Sequence, residues 1–311
     1  MTPFTIAGIQ MYISATHDNL AAMKHRVDLA LLKFPWLDMI MFSELSPFGP
    51  LIGQHPDSLD ATIKEFQEIA ARRNIWLIPG SMFDKRSDGT FNHSVVINPK
   101  GEIVGRYDKM FPFTPYEANV TGGTEFLTFD VPEIGRFGLS ICYDIWFPET
   151  TRTLASMGMD VLLHPVLTGT TDRDIELSIA RTTAAQFQCY VFDINGLGAG
   201  GIGRSCVVGP GGTMLYEARA SDEIIPIEID LDVVARQRAV GQNGLGQVLK
   251  SFRDRNVNFN VYGENEFDHE YLDSLGPLTM PKRATQVDKD DVSLSNSISE
   301  TSKLEVKPAN P

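Results

Sequence analysis

The chain has 311 residues, a formal net charge of −13 and a hydrophobic share of 42%. An apolar share of this size is typical of a globular protein with a sizeable core. The excess of negative charge argues against nucleic acids and anionic membrane surfaces as partners, because both would repel the protein.

The three cysteines, Cys142, Cys189 and Cys206, are odd in number and widely spaced, which makes a disulfide framework a poor interpretation. No cysteine or histidine pair has the spacing of metal ligands, so no metal site is expected. The N-terminus lacks a basic region followed by an apolar stretch, and no run of about 18 apolar residues occurs. These features predict a cytoplasmic protein without a membrane span, which suits an enzyme that depends on a free thiol.

Short apolar runs rich in β-branched residues recur along the chain, and their lengths are typical of strands. Several are apolar at nearly every position, as expected when both faces of a sheet are covered. The predicted strands are Phe4 to Ile13, Asp38 to Leu45, Ile75 to Phe83, His93 to Asn98, Arg136 to Asp144, Asp160 to His164, Tyr190 to Asn195, Arg204 to Val208 and Ile224 to Ile229.

Three segments between these strands carry apolar residues at helical spacing, namely Asn19 to Phe34, Asp57 to Arg73 and Asp172 to Gln188. Strands and helices alternate on both sides of a strand-rich middle, residues 75–131. This order predicts an α/β layered domain with a mixed sheet. No boundary is visible within residues 1–280, whereas residues 281–311 are polar and predict a flexible tail or an arm lying over a partner subunit.

The segment from Gly138 to Glu149 is the most informative. An apolar strand is predicted to run directly into Cys142, and Pro148 with Glu149 then opens a helix, since proline and an acid both favour the first turn. A thiol on such a strand-to-helix turn has backbone N–H groups nearby, which suits a nucleophile with an oxyanion hole. A buried structural cysteine is the alternative for this position taken alone.

Two charged residues follow apolar runs in the same way. Glu44 ends the run that starts at Met39, where burial would raise the pKa of its carboxyl into the range useful for a general base. Lys109 follows a strand-like stretch that begins at Glu102 and precedes another apolar run. Each residue alone is equally compatible with a surface salt bridge.

Together, Glu44, Lys109 and Cys142 resemble the nitrilase superfamily of carbon–nitrogen hydrolases, over roughly residues 4 to 260. The match is most specific at the nucleophile motif around Cys142 and the helix after it. The stretch from Arg106 to Lys109 is similar to the family's lysine motif, and Glu117 lies where its amidase members carry a second glutamate. Three later stretches also fit the family pattern: Ala180 to Gln186, Tyr190 to Asn195 and Gly209 to Gly212.

The resemblance implies a four-layer α-β-β-α sandwich that dimerises into eight layers, with no cofactor. It implies that Glu44 accepts the Cys142 proton, that the thiolate attacks an amide carbonyl, and that Lys109 and the backbone N–H of Tyr143 hold the oxyanion. A thioester forms, ammonia leaves, and water hydrolyses the thioester. By analogy with the amidases, Glu117 positions Lys109 or the substrate.

The substrate is expected to be a small amide whose acyl group is neutral. The order Cys-Tyr-Asp from Cys142 resembles the amidase and carbamoylase branches, whereas true nitrilases commonly carry Cys-Trp-Glu. Ile145 and Trp146 stand where carbamoylases commonly place arginines that hold a carboxylate. Tyr143, Trp146 and Tyr116 are the expected substrate contacts. Arg173 could supply a contact to a carboxylate, but it is interpreted mainly as a solvated helix residue. An N-carbamoyl-amine amidohydrolase and a nitrilase remain the alternatives within the superfamily.

Other classes of function have their own signals. His164 follows an apolar strand and could form a Cys–His pair with Cys142, although a structural histidine is the simpler interpretation. Gly198 to Gly203 matches a dinucleotide-binding pattern, but that pattern needs a helix next and a strand is predicted instead. A non-catalytic binding protein on the same fold is the third alternative, and the presence of all three triad residues argues against it.

Apolar residues continue past the last predicted strand, in Gln247 to Arg253 and in Val257 to Tyr262. Exposed apolar groups usually mark a contact surface. The resemblance implies that the helix after Cys142 and the C-terminal segment pack against a second subunit. We therefore expect at least a homodimer, in which residues 245–280 lie across the partner subunit.

Overall fold

The computed structural model describes residues 3–255, 257–262 and 270–281. The described residues group into two compact units, and the larger contains everything up to Asn260 except Thr114–Tyr116. Those three residues belong with the described part of the segment that starts at Val261. The predicted tail, residues 281–311, lies outside the described residues apart from Pro281.

One large sheet is formed mainly by the N-terminal half of the chain. Its strand order is β16-β1-β3-β4-β6-β5, and β7 also pairs with β6. Strands β1, β3 and β4 run parallel, and the remaining pairs are antiparallel. The strands are β1 (Phe4–Gln10), β3 (Met39–Phe42), β4 (Trp76–Ile78), β5 (Met82–Arg86), β6 (Gly89–Ile97), β7 (Ile103–Asp108) and β16 (Glu223–Ile229).

A second sheet has the order β15-β14-β11-β10-β9-β8. Its centre, β9-β10-β11, is parallel, and its outer pairs are antiparallel. The strands are β8 (Leu127–Val131), β9 (Gly135–Leu139), β10 (Val161–Val166), β11 (Tyr190–Asn195), β14 (Cys206–Gly209) and β15 (Thr213–Glu217). Three two-residue strands form a small third sheet: β2 (Tyr12–Ile13), β12 (Leu197–Gly198) and β13 (Gly201–Ile202).

The α-helices of the described ranges are α1 (Leu20–Lys33), α2 (Asp60–Arg73), α3 (Pro148–Ser156), α4 (Asp172–Phe187), α5 (Leu231–Val240), α6 (Val248–Asp254) and α7 (Glu270–Ser274). The three helices predicted from periodicity correspond to α1, α2 and α4. In α4 the apolar residues at helical spacing, Leu177, Ala180, Ala184 and Phe187, are buried. None of the helices in the described ranges is long and apolar enough to cross a bilayer.

The three larger groups of buried side chains among the described residues hold these elements together. One joins the two large sheets, where Phe4 of β1 meets Phe137 of β9 edge to face at 5.7 Å. A second packs the first sheet against α1 and α2, and a third packs the second sheet against α3 and α4. Burying one Leu, Ile or Phe side chain is worth about 1.5–3 kcal/mol, so these contacts dominate the stability of the mixed α/β fold.

Two long predicted strands are interrupted. The run from Phe4 breaks at Met11, between β1 and β2, and the run from Ile75 splits into β4 and β5 around Gly80. Gly80 has a φ of +79°, and a Cβ there would lie 1.9 Å from the carbonyl oxygen of Ser43. Only glycine fits this close approach, which places the chain after β4 against the chain after β3.

The prediction that a strand runs directly into Cys142 is wrong. Strand β9 ends at Leu139, and Cys142 begins a single 3₁₀ turn, Cys142–Trp146. The reason is local, because the carboxylate of Asp144 accepts a hydrogen bond of 2.8 Å from the backbone N–H of Ile141 and closes the turn. Helix α3 then begins at Pro148, as predicted.

Candidate active site

Glu44 lies two residues beyond the end of β3, and it is only 3% exposed. One carboxylate oxygen, Oε1, accepts hydrogen bonds from Lys109 Nζ at 2.9 Å and from Asn92 Nδ2 at 2.8 Å. Its backbone N–H donates to the carbonyl of Val166 at the end of β10, which ties the two large sheets together at this point. Burial raises the pKa of the Glu44 carboxyl, although Lys109 opposes the shift.

Lys109 follows the last residue of β7 and is 1% exposed. Its ammonium group lies between two carboxylates, 2.9 Å from Glu44 and 2.8 Å from Glu117. Burial acts to lower the pKa of Lys109, but Glu44, Cys142 and Glu117 together hold it well above its usual range. The two carboxylates therefore favour the charged form of the Lys109 side chain.

Glu117 is the second carboxylate of this group. Its Oε2 accepts the Lys109 ammonium and also the backbone N–H of Phe113 at 2.6 Å. Glu117 thus lies directly beside Lys109. Through these two contacts Glu117 fixes both the lysine and the loop that follows it.

Cys142 adopts a left-handed backbone conformation with a φ of +47°. For a residue other than glycine this conformation costs roughly 1–2 kcal/mol, and such strained residues concentrate at functional sites. The thiol is partly buried, and its Sγ lies 3.9 Å from Thr168 Oγ1. Burial raises the pKa of Cys142 and Glu44 raises it further, whereas Lys109 lowers it.

The turn that carries Cys142 is held by Asp144, which is fully buried. Besides the N–H of Ile141, its carboxylate accepts the Tyr107 hydroxyl at 2.7 Å and the N–H of Phe111 at 2.8 Å. Burial raises the pKa of Asp144 to about 6. Sequence analysis did not identify this support, because Tyr107 and Phe111 are remote from Asp144 in the chain.

A pocket of about 290 Å³ opens beside the thiol. Three aromatic side chains, two carboxylates and a run of small residues line it. The lining residues are Phe113, Cys142, Tyr143, Trp146, Leu167, Thr168, Gly169, Thr170, Asp172, Glu176 and Gly200. The ring of Tyr143 packs edge-on against Phe113 at 5.1 Å and lies 6.1 Å from the ring of Trp146.

Two of the three predicted substrate contacts, Tyr143 and Trp146, therefore line the pocket. Tyr116 is 58% exposed and belongs to the smaller unit. Asp172 and Glu176 also line the pocket but were not identified from the sequence, where they look like part of an ordinary helix.

The interpretation of Arg173 as a solvated helix residue is wrong. It is fully buried and pairs with Glu176 at 3.2 Å and with Asp193 of β11. Its guanidinium also donates to the backbone carbonyl of Arg204. Arg173 can be buried because two carboxylates from different elements neutralise it. Sequence spacing reveals only Glu176, which lies on the same helix.

His164 and the glycine-rich segment Gly198 to Gly203, which suggested other classes of function, both have structural explanations. His164 is fully buried and shares a hydrogen bond of 2.7 Å between its Nδ1 and Ser140 Oγ, and burial lowers its pKa to about 4. The segment Gly198 to Gly203 spans the end of β12 and the strand β13, with no helix after it, as predicted. Among the described residues, no group of three or more His, Cys, Asp and Glu side chains could hold a metal ion.

Comparison with known proteins places the chain in a family. Residues 5–239 match the carbon–nitrogen hydrolase family model. The human omega-amidase NIT2 is 27% identical over 259 residues, which cover 76% of this chain and 92% of the relative. The crystal structure of Saccharomyces cerevisiae Nit3, a nitrilase-superfamily member, superposes with a TM-score of 0.69 at 25% identity, over 76% of this chain and 93% of the other.

An amidase from Nesterenkonia sp. has the same fold, with a TM-score of 0.66 at 21% identity over 76% of this chain and 94% of the other. In that structure of a mutant, the acetamide moiety of fluoroacetamide is covalently attached to the active-site cysteine. The match to the family model covers most of the present chain, and the named relatives are amidases. The chain therefore belongs to the carbon–nitrogen hydrolase family of the nitrilase superfamily, in its amidase-like branch, and is an amidase-type hydrolase.

Proposed function

We propose that the protein hydrolyses a small amide to a carboxylic acid and ammonia through a thioester on Cys142. The observation that carries this proposal is the placement of Lys109 between Glu44 and Glu117, within an environment that also contains the Cys142 thiol. The covalent adduct on the cysteine of the Nesterenkonia amidase supports the same role for Cys142.

Glu44 is the proton carrier of the proposed cycle. Its carboxylate takes the S–H proton of Cys142 as sulfur bonds to the amide carbon, and it returns that proton to the nitrogen as the C–N bond breaks. Ammonia leaves, and the thioester remains. Glu44 then removes a proton from water, the hydroxide attacks the thioester, and the S–C bond breaks with return of the proton to sulfur.

The raised pKa of Glu44 makes the first proton transfer easier, since it brings the base closer to the acidity of the thiol. The transfer moves a negative charge from Glu44 to sulfur without changing the total charge of the site. Lys109 stays protonated throughout and lies where it can stabilise first the thiolate and then the oxyanion. With the backbone N–H of Tyr143 it forms the proposed oxyanion hole, in which one donor is worth about 100- to 1000-fold in rate.

The pocket supports a neutral acyl group with apolar or aromatic character. Phe113, Tyr143 and Trp146 offer ring faces, whereas Asp172 and Glu176 would repel a carboxylate. Among the described residues that line the pocket, none is basic. We therefore expect amides of uncharged acids to be better substrates than ω-carboxyl amides of the same length.

The test is ammonia release from a panel of amides matched in size. Butyramide and phenylacetamide represent neutral aliphatic and aromatic acyl groups, succinamic acid adds a carboxylate, and an N-carbamoyl amine and a nitrile represent the alternatives within the superfamily. Cys142→Ala serves as the blank for every compound. Turnover of a neutral amide that disappears in Cys142→Ala supports the proposal. Turnover only of the carbamoyl compound or the nitrile would reassign the substrate class, and none at all would favour a binding protein.

We also propose that the three buried clusters correspond to a four-layer α-β-β-α sandwich that dimerises into eight layers. Large apolar side chains are exposed between residues 245 and 259 of the larger unit, among them Leu245, Phe252 and Phe259. Such a surface fits the proposed homodimer contact. The three cysteines are free thiols, which is compatible with the cytoplasm as the proposed location.

A further inference from the structure

Thr168 is the hydroxyl-bearing residue next to the nucleophile. Its Oγ1 lies 3.9 Å from Cys142 Sγ and 2.9 Å from Glu176 Oε1. The backbone of Thr168 is fixed on both sides by Asn195, which accepts its N–H at 2.9 Å and donates to its carbonyl at 3.0 Å. The hydroxyl oxygen therefore has a defined position, and only the direction of its proton can change.

Glu176 is buried, and charged groups from two elements surround it. On its own helix, Arg173 lies 3.2 Å from Oε2, and Asp172 lines the same pocket. From β11, Asp193 competes for the same guanidinium. One cation thus serves two carboxylates, and Glu176 is not fully neutralised.

A threonine hydroxyl has one proton and two lone pairs. When Glu176 is ionised it can only accept, so the proton of Thr168 points at Glu176 and a lone pair faces Cys142 Sγ. In that state Thr168 can accept a hydrogen bond from the S–H group, and it opposes a negative charge on sulfur. When Glu176 is neutral it can donate to Thr168, and the hydroxyl proton becomes available to a thiolate.

We infer that Glu176 is a positioning residue that sets, through the direction of the Thr168 hydroxyl, whether Cys142 is held as a thiol or stabilised as a thiolate. This inference rests on the proposed role of Cys142 as nucleophile. Glu176 acts through Thr168 and does not need to touch the substrate.

The charge environment makes such a change accessible near neutral pH. Burial raises the pKa of Glu176 to about 7, and Asp193 adds to the shift while Arg173 opposes it. The pKa of Cys142 is itself raised by burial, by Glu44 and, to a smaller extent, by Glu176. Loss of the negative charge on Glu176 therefore favours the thiolate both directly and through the Thr168 proton.

The test is the rate of alkylation of Cys142 by iodoacetamide, measured from pH 5 to pH 10 and located by peptide mass mapping. In Glu176→Gln the amide N–H₂ donates to Thr168 while its carbonyl accepts from Arg173, so the hydroxyl proton is turned toward sulfur. The expected result is alkylation about tenfold faster at pH 7, which corresponds to a thiol pKa about one unit lower. Thr168→Ser keeps the hydroxyl and serves as the matched control with a wild-type profile.

The double variant Glu176→Gln/Thr168→Val separates the proposed route from a direct charge effect. If Thr168 transmits the effect, Glu176→Gln should accelerate alkylation much less in the Thr168→Val background than in the wild-type background. An acceleration that is equally large without the hydroxyl would overturn the inference, as would an unchanged profile in folded Glu176→Gln. Thermal midpoints identify any variant that fails to fold. If a variant with Glu176→Gln does not fold, the inference requires that Thr168→Val alone changes the dependence of the alkylation rate on pH.

The outcome is independent of turnover, because alkylation needs only an accessible thiol. If Cys142→Ala retained amidase activity, the proposed function would fail while the coupling of Glu176 to the thiol could still be measured. Conversely, an amidase that depends on Cys142 but shows no response to Glu176→Gln would contradict only the present inference.

Discussion

Asn92 and Lys109 donate hydrogen bonds of 2.8 and 2.9 Å to the same oxygen of Glu44, Oε1. Both donors are buried, and both come from the β6–β7 hairpin region of the first sheet. These two hydrogen bonds fix the Glu44 carboxylate through Oε1, and neither of them is made to Oε2. The general base is thus oriented by two groups, of which sequence analysis recognised only the lysine.

The contribution of Asn92 can be tested with Asn92→Leu, which keeps the volume and removes the donor. A hydrogen bond to the ionised carboxylate lowers its pKa, so its loss raises the pKa of Glu44 further. Glu44 must be ionised to act as base, so the acidic limb of the kcat/KM profile should move to higher pH. Such bonds are worth roughly 1.5–3 kcal/mol, and we expect at least about tenfold lower activity at pH 6. Asn258→Ala, at an exposed position, is the control, and an unshifted limb in folded Asn92→Leu would contradict this role.

Lys109→Ala should cost both rate and stability. It removes the proposed oxyanion donor, worth about 100-fold or more, and it leaves Glu44 and Glu117 without their shared cation. Breaking a buried ion pair from one side typically costs about 3–5 kcal/mol. Denaturant unfolding and turnover measure the two effects, with Lys64→Ala as the surface control. The double variant Lys109→Ala/Glu44→Gln should recover part of the stability and none of the activity, and recovery of activity would remove both residues from the mechanism.

His164 should make the protein less stable as the pH falls. Its folded pKa of about 4 lies below the unfolded value near 6.5, so the folded state holds it neutral. The associated stability is present above pH 6.5 and is lost as the pH falls toward 4, because the unfolded chain then binds the extra proton. Asp144 and Glu176, whose pKa values are raised, act in the opposite sense over a similar range.

The effect of His164 is therefore measured as the difference in free energy of unfolding between the wild-type protein and His164→Asn, whose side chain cannot titrate. The stability advantage of the wild-type protein over this variant should shrink by about 2–3 kcal/mol between pH 7 and pH 4.5. Urea unfolding at both pH values gives the two differences. A difference that stays constant would show that His164 is not held neutral by burial.

The proposed homodimer is tested by light scattering on the full chain and on a form that ends near Gly241. Removal of the exposed apolar side chains of α6 and the segment after it should convert a dimer into a monomer. Phe252→Ser in the full chain is the milder version of the same change. A monomeric full-length protein, or a truncated form that remains dimeric, would contradict this assembly and leave the chemistry at Cys142 untouched.

Much of the fold follows from local periodicity. Helices α1, α2 and α4 begin and end within about three residues of their predicted bounds, because each buries one face against a sheet. The predicted strand Tyr190 to Asn195 coincides with β11, since both of its faces are covered. Glu44 and Lys109 also lie within two residues of strand ends, as predicted.

The features that sequence analysis missed depend on partners remote in the chain. The buried position of Asp144 in the turn that carries Cys142 is held by Tyr107 and Phe111, which come from the region that also supplies Lys109. Arg173 is buried because Asp193, 20 residues away, completes its charge pairing. A periodic pattern cannot reveal such pairings, because it reports only which face of an element is apolar.

The central claim is that Cys142 carries the acyl group during amide hydrolysis. Its most direct test is the intact mass of Glu44→Gln after incubation with an amide that the wild-type enzyme turns over, followed by peptide mapping of the product. Without its base, this variant should hydrolyse the thioester slowly. We therefore predict that the peptide containing Cys142 gains the mass of the acyl group less the one hydrogen that it replaces on sulfur. An acyl group on Cys189 or Cys206, or continued turnover by Cys142→Ala with no adduct at any cysteine, would contradict the account.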